Sequence, residues 1–166
     1  MVVDQNSLKV KKYFLLIIFF LLFTSKSYSN NFTLTKITEL DEPWGSSFIN
    51  NDEITITEKS GKITIVKINS KKFLEVKHNL NFLNVGQGGL LDIIHQNNNL
   101  WISYSEDRGN SKTSTSIAKA KLDKKKLNFE NIFQANPPID SGYHFGSRLA
   151  IKDDYLFASA GERRQG

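Results

Sequence analysis

The sequence predicts an all-β protein. Short runs in which apolar and polar residues alternate recur along the chain, as in Glu53–Glu58 and residues 62–68, and this alternation is typical of strands with one buried face. Polar turn segments such as residues 50–52 and 60–61 separate the runs, which is the second signal of β-structure. Between residues 30 and 166, no apolar period of 3.6 extends over a dozen residues, so no amphipathic helix is predicted.

The N-terminal segment has the layout of a secretory signal peptide. A lysine-rich head at residues 9–12 precedes an unbroken apolar run over residues 13–23, and Ser27 and Ser29 give a small-x-small cleavage pattern. The alternative is an uncleaved membrane anchor. A transmembrane helix needs about 20 apolar residues, and the shorter length of this run argues against that alternative. We therefore predict a signal peptide over residues 1–29, and a periplasmic or secreted protein.

Charge and cysteine content narrow the possible functions. The chain has a net charge of +5, but four lysines and one acidic residue lie in the predicted signal peptide. The remainder is therefore closer to neutral, and no nucleic-acid partner is predicted. Contact with a membrane is predicted only through the export signal. The chain has no cysteine, which excludes thiolate metal sites, cysteine nucleophiles and disulfides.

The strand signals repeat in three copies. Each copy has a strand, an Asn- or Asp-containing turn and a second strand, and the copies begin at Gly45, Gly89 and Gly146. A spacing of roughly 45 to 60 residues is typical of β-propellers, in which each blade is a four-stranded antiparallel sheet. Glycine at the start of an innermost strand would allow close backbone approach around the central channel. An ordinary β-sandwich with unrelated hairpins is the alternative.

Six motifs in order carry a resemblance to a known family. Two of them are Gly86-Gln87-Gly88-Gly89-Leu90-Leu91-Asp92 and His144-Phe145-Gly146-Ser147-Arg148-Leu149, and the full set covers residues 43–45, 56–61, 86–92, 102–105, 144–149 and 161–163. From about residue 36 to its end, the chain resembles the N-terminal part of the soluble quinoprotein glucose/sorbosone dehydrogenases, in particular their aldose sugar dehydrogenase branch. The resemblance implies a six-bladed β-propeller. Residues 30–166 would supply its first two blades and the inner strands of a third.

The resemblance also implies a cofactor and a reaction. Members of the family bind pyrroloquinoline quinone (PQQ) at the top of the channel, and a histidine takes the proton from the anomeric hydroxyl of the sugar while hydride passes to the quinone. By motif match that histidine is His144, and Gln87 lies against the cofactor. Arg148 is a further candidate contact for an anionic cofactor, with a structural ion pair to Asp92 or Glu162 as the alternative.

The residues themselves also support a catalytic role for His144. It follows a loop-rich stretch at residues 137–142 and opens the third repeat, and loop-to-strand junctions on a rigid sheet often carry catalytic groups. Histidine is also the side chain best suited to moving a proton near neutral pH. The alternative is a partly buried histidine that bonds to a backbone carbonyl.

In the glucose dehydrogenase branch of the family an aspartate precedes the catalytic histidine, but Tyr143 occupies that position here.

No metal ligand is predicted within the chain. The three histidines are too far apart for a compact zinc motif, and His78 and His95 are predicted to lie at the surface. In the family, the basic residues that hold the quinone carboxylates and the ligands for calcium come from later blades, so we expect them beyond Gly166. We accordingly expect the parent protein to oxidise aldose sugars with PQQ and calcium, and the truncated segment alone to be inactive.

Two alternatives from other functional classes remain at this point. One is a non-catalytic secreted propeller that binds a glycan or a protein. The other is a lactonase-like propeller hydrolase, with a metal held in the channel by carboxylates and asparagine. The predicted starts of the inner strands offer Gln87 and His144 but few carboxylates, which argues against the hydrolase.

Overall fold

The structure is a computed structural model and describes residues 32–164. The predicted signal peptide at residues 1–29 lies outside the described residues. Residues 32–36 belong to a first unit and have no regular secondary structure, and the β-structure lies in a second unit that begins at Ile37. Within residues 32–164, no helix could span a membrane.

Every regular element of the described residues is a β-strand, as predicted. The strands are β1 (Pro43–Phe48), β2 (Glu53–Glu58), β3 (Ile63–Lys67), β4 (Lys72–Glu75), β5 (Lys77–His78), β6 (Leu90–Gln96), β7 (Asn99–Asp107), β8 (Thr113–Lys121), β9 (Lys126–Leu127), β10 (Glu130–Gln134), β11 (Gly146–Lys152) and β12 (Tyr155–Ala160). The first sheet has the order β1-β2-β3-β4 and the second the order β6-β7-β8-β10; β11 and β12 form a hairpin, and β5 pairs with β9. The neighbouring strands of the two large sheets are antiparallel. This arrangement agrees with two blades and the inner strands of a third.

The three innermost strands β1, β6 and β11 share a bulge at the same position. A bulge adds an unpaired residue and bends the strand. By this register Gly45 is equivalent to Asp92 and Arg148, so the glycines that open the three repeats do not occupy equivalent positions. The bulges correct the sequence alignment of the repeats, which placed Gly45, Gly89 and Gly146 together. They lie between Pro43 and Ser46, between Leu90 and Ile93, and between Gly146 and Leu149.

Close contact between the first two innermost strands nevertheless depends on a glycine. A Cβ atom on Gly45 would lie 2.6 Å from the carbonyl oxygen of Leu91 and 2.7 Å from the Cα of Asp92. Any side chain at this position would push the two backbones apart. The expected reason for Gly45 is therefore confirmed, although its register is different.

The main apolar core lies between the first two sheets. On β3, β7 and β8 its side chains lie two residues apart, as expected for one face of a strand, whereas on β6 the bulge separates Leu90 from Ile93 by three residues. This packing fixes the two sheets face to face. The fully buried members are Ile63, Leu90, Ile93, Leu100, Ile102, Ala118 and Leu127.

A buried hydroxyl joins each blade to the next. Ser103 on β7 accepts a hydrogen bond from the backbone N–H of Asp92 at 3.0 Å, and its own hydroxyl donates to the carbonyl of Ser147 in the third blade at 2.6 Å. Thr57 on β2 repeats this arrangement between the first and second blades. The repeated bond aligns neighbouring innermost strands, and this alignment positions the start of β11.

Substitution of Ser103 by alanine is expected to destabilise the fold by about 2 kcal/mol. The change leaves two buried backbone groups without their partner, and each unsatisfied group costs about 1–3 kcal/mol. Urea unfolding of the purified protein measures the effect. Ser60→Ala in an exposed turn is the control and should stay within about 0.5 kcal/mol of wild type. Equal stability of the two variants would contradict the role of the inter-blade bond.

Candidate active site

The loop before β11 carries His144 and is tied to the second blade at several points. The backbone N–H of Gln87 donates to the carbonyl of Gly142 at 2.7 Å. The hydroxyl of Thr115 donates to the carbonyl of Phe145 at 2.7 Å, and the Phe145 ring is buried. His144 therefore lies between two anchored residues, on a loop with little freedom to move.

The backbone of His144 is held in a conformation that is unfavourable for an L-residue. Its φ is 49°, in the left-handed region. The N–H of His144 donates to the side-chain Oε1 of Gln87 at 2.9 Å. On the other side, a Cβ atom on Gly161 would lie only 1.8 Å from the His144 carbonyl oxygen, so glycine alone fits there. Strained residues held by their surroundings in this way cluster at functional sites.

The imidazole of His144 contacts a carboxylate. Its Nδ1 lies within hydrogen-bond distance of Oε1 of Glu162, which follows β12. The side chain of His144 is 41% exposed and that of Glu162 is 53% exposed, so both are accessible to a ligand. Because a carboxylate only accepts hydrogen bonds, Nδ1 carries the proton and donates. The Nε2 of the neutral ring is then free to accept a proton.

The ionisation of Glu162 agrees with this pairing. The hydrogen bond from His144 lowers the pKa of the Glu162 carboxyl, and backbone N–H groups, including that of Arg164, lower the pKa further. Glu162 is therefore a carboxylate at neutral pH. The sequence motif over residues 161–163 predicts Glu162 only as a possible partner of Arg148, and the contact with His144 was not predicted.

Gln87 is oriented by the same loop. A backbone N–H can only donate, so the Gln87 side chain must present Oε1 to His144. This orientation points the amide Nε2 away from His144. Because Gln87 is exposed, the amide can donate to a bound group, while the predicted contact with a cofactor stays a prediction.

Arg148 makes the ion pair that the sequence left as one alternative. Its Nη1 lies 3.4 Å from Oδ1 of Asp92, and the other oxygen of this buried carboxylate accepts the N–H of Leu149 at 2.9 Å. The second proposed partner, Glu162, bonds to His144 instead. The Arg148 side chain is 70% exposed, so much of the guanidinium can still contact an anionic group.

The other two histidines, which were predicted to lie at the surface, are each only partly exposed. His78 is half-buried; its Nε2 lies 2.7 Å from the carbonyl of Gly61, and its Nδ1 accepts the N–H of Leu80 at 3.2 Å. His95 is half-buried on β6 and its Nε2 is buried. Among residues 32–164, no group of three or more His, Asp or Glu side chains could hold a metal ion.

Comparison with known proteins gives consistent matches. The family model of Glucose / Sorbosone dehydrogenase matches residues 40–166. The chain is 30% identical over 137 residues to Aldose sugar dehydrogenase YliI of Escherichia coli (strain K12), and the match covers 76% of this chain and 37% of that protein.

Solved structures share the fold. A glucose dehydrogenase has a TM-score of 0.71 at 28% identity, over 76% of this chain and 42% of that chain. The PQQ-bound form of Aldose Sugar Dehydrogenase from Streptomyces coelicolor has a TM-score of 0.65 at 22% identity, over 77% of this chain and 40% of that chain. The chain thus spans about two fifths of the length of these proteins, and its sheets correspond to blades of their β-propeller.

Proposed function

Because the chain belongs to the Glucose / Sorbosone dehydrogenase family, we propose that the whole protein oxidises an aldose sugar at its anomeric carbon with PQQ as cofactor. The observation that carries this proposal is the pairing of His144 with Glu162 at the loop before β11. This pairing leaves an accessible proton acceptor beside the exposed amide of Gln87. The predicted signal peptide supports a periplasmic or secreted location.

In the proposed reaction, His144 acts as the general base. Its Nε2 takes the proton from the anomeric hydroxyl, which makes loss of hydride from the same carbon easier. The positive charge that develops on the imidazole is stabilised by the Glu162 carboxylate at Nδ1. PQQ, when bound, supplies an ortho-quinone that accepts the hydride. The sugar, having lost one proton and one hydride, is released as a lactone.

The chemistry of the exposed donors fits such a cofactor. Quinone oxygens and carboxylates accept hydrogen bonds, and the chain offers the Gln87 amide and the exposed guanidinium of Arg148 as donors. We propose these two side chains as cofactor contacts. Residues 32–164 offer no cluster of acidic or histidine side chains for calcium, so we propose no calcium ligand among them.

A dye-reduction assay tests the proposed function. The full-length protein that contains this segment is incubated with PQQ and calcium, and a panel of aldoses is added with an artificial electron acceptor. We expect dye reduction that requires both PQQ and a sugar, with lactone as the product. If the folded protein bound glycans but reduced no dye with any aldose, the non-catalytic propeller would be the better interpretation.

A further inference from the structure

Arg163 is buried although it carries a permanent charge. Its side chain is only 7% exposed, and it follows Glu162 directly in the chain. The Nε donates to the carbonyl of Tyr143 at 2.8 Å, and Nη2 donates to the carbonyl of Ser141. On the second blade, Nη1 and Nη2 donate to the carbonyl and the hydroxyl of Thr113, at 3.2 and 2.6 Å. One guanidinium thus bonds to both the His144 loop and β8.

An aromatic ring completes the environment of this guanidinium. The Cζ atom of Arg163 lies 3.7 Å from the centroid of the buried Phe145 ring, which is a cation–π arrangement. Among residues 32–164, the partners of the guanidinium are carbonyl and hydroxyl oxygens and this ring, with no carboxylate. Burial lowers the pKa of Arg163, as expected for a charge without an ionic partner. Burial of a charge without an ionic partner costs free energy unless hydrogen bonds compensate for it. The hydrogen bonds of this guanidinium therefore fix the groups around it.

The contacts of Arg163 alternate with those of Gln87 along the loop. Arg163 holds the carbonyls of residues 141 and 143 and the ring of residue 145. Gln87 holds the carbonyl of residue 142 and the N–H of residue 144. The backbone that carries the imidazole is therefore fixed from two sides.

We propose that Arg163 is a positioning residue for His144, which keeps Nδ1 of the imidazole against Glu162 by fixing the loop over residues 141–145. This inference rests on the proposed function for its kinetic consequence. The adjacent residues Glu162 and Arg163 then act together: the carboxylate orients the ring, and the guanidinium orients the backbone that carries the ring. Arginine suits this role because its planar group has five N–H donors and can stack on an aromatic ring. Lysine has three N–H donors and no planar group that could stack on the ring.

Kinetics of the full-length, PQQ-loaded protein test the inference. We expect Arg163→Lys to lower kcat about 10- to 100-fold, because a displacement of about 1 Å can cost 100-fold. We expect KM for the sugar and the PQQ content to stay within about twofold, so that the loss appears in kcat alone. Arg164→Ala is the matched control, because it keeps the backbone N–H that bonds to Glu162 and removes an exposed side chain that stacks on the Tyr143 ring at 4.0 Å. An unchanged kcat in folded Arg163→Lys would overturn the proposal.

A spectroscopic measurement separates this inference from the proposed function. In ¹⁵N-labelled protein, the Nδ1 proton of His144 should give a strongly downfield signal that is present in wild type and Arg164→Ala, and lost or weakened in Arg163→Lys. Persistence of that signal in Arg163→Lys would reject the positioning role, whether or not the protein oxidises sugars.

A second variant serves if Arg163→Lys does not fold. Phe145→Leu removes only the stacked ring, and we expect it to weaken the signal partially. An unaltered signal in Phe145→Leu would then count against the proposal. A wild-type protein with the signal but no sugar oxidation would reject the proposed function alone.

Discussion

Substitution of His144 by alanine is expected to reduce sugar-dependent turnover by about 10²- to 10⁴-fold, which is the usual contribution of a general base. The fold should persist, because the bonds that fix the loop use the backbone of His144 and its neighbours rather than the imidazole. PQQ content should also change little. Turnover at saturating sugar and PQQ, with cofactor binding followed separately, measures the effect.

His144→Asn is the matched variant for this experiment. Asparagine tolerates the left-handed backbone found at this position, so it separates the loss of the base from backbone strain. An amide does not accept the proton, and we expect turnover as low as in His144→Ala. Gln87→Ala should instead act mainly on PQQ content. If either His144 variant kept more than about a tenth of wild-type turnover, His144 would not be the base.

Most of the inner strands could be predicted from the sequence, but the outer strands could not. The alternation at Glu53–Glu58 predicts the strand correctly but not its buried face, because the residues that alternate with the half-buried Ile54 and Ile56 are the buried ones. The outermost strands β4 and β10 are exposed throughout, so no buried face gives them an apolar period. Strand β8 has the opposite difficulty: Thr113 and Thr115 are buried polar residues, because their hydroxyls bond to the loop before β11. A pattern based on hydrophobicity does not detect a strand buried for that reason.

The motifs predict individual residues of the candidate site but not the contacts between them. The motifs gave His144 and Gln87 separately, and only the structure shows that the backbone of one bonds to the side chain of the other. The Glu162 contact depends on strand register. Because Gly146 pairs with Ala160 across the β11–β12 hairpin, residues 144 and 162 continue the same ladder and face each other. The bulge in β11 shifts that register by one residue, and the alternating pattern alone does not reveal it.

Substitution of Glu162 by glutamine is expected to lower turnover about 10- to 100-fold, less than the roughly 10⁴-fold effect of such a change in a fully buried catalytic triad. Two physical effects contribute. The neutral amide no longer stabilises the imidazolium, and its NH₂ group can turn toward Nδ1 and favour the tautomer in which Nε2 carries the proton. That tautomer cannot act as the base at Nε2. The effect should be smaller than in a buried triad because the Glu162 side chain is 53% exposed, and water screens the interaction.

A charge-conserving variant distinguishes this role from a structural one. The lowered pKa of Glu162 keeps its carboxylate ionised until the pH falls below the carboxyl's usual range, so the negative charge is present beside Nδ1 at neutral pH. Loss of this charge in Glu162→Gln destabilises the imidazolium that forms during the reaction, and turnover at neutral pH should therefore fall. Glu162→Asp keeps the charge on a shorter side chain and should lose less turnover. Turnover within twofold of wild type in both variants would exclude Glu162 as the group that orients His144.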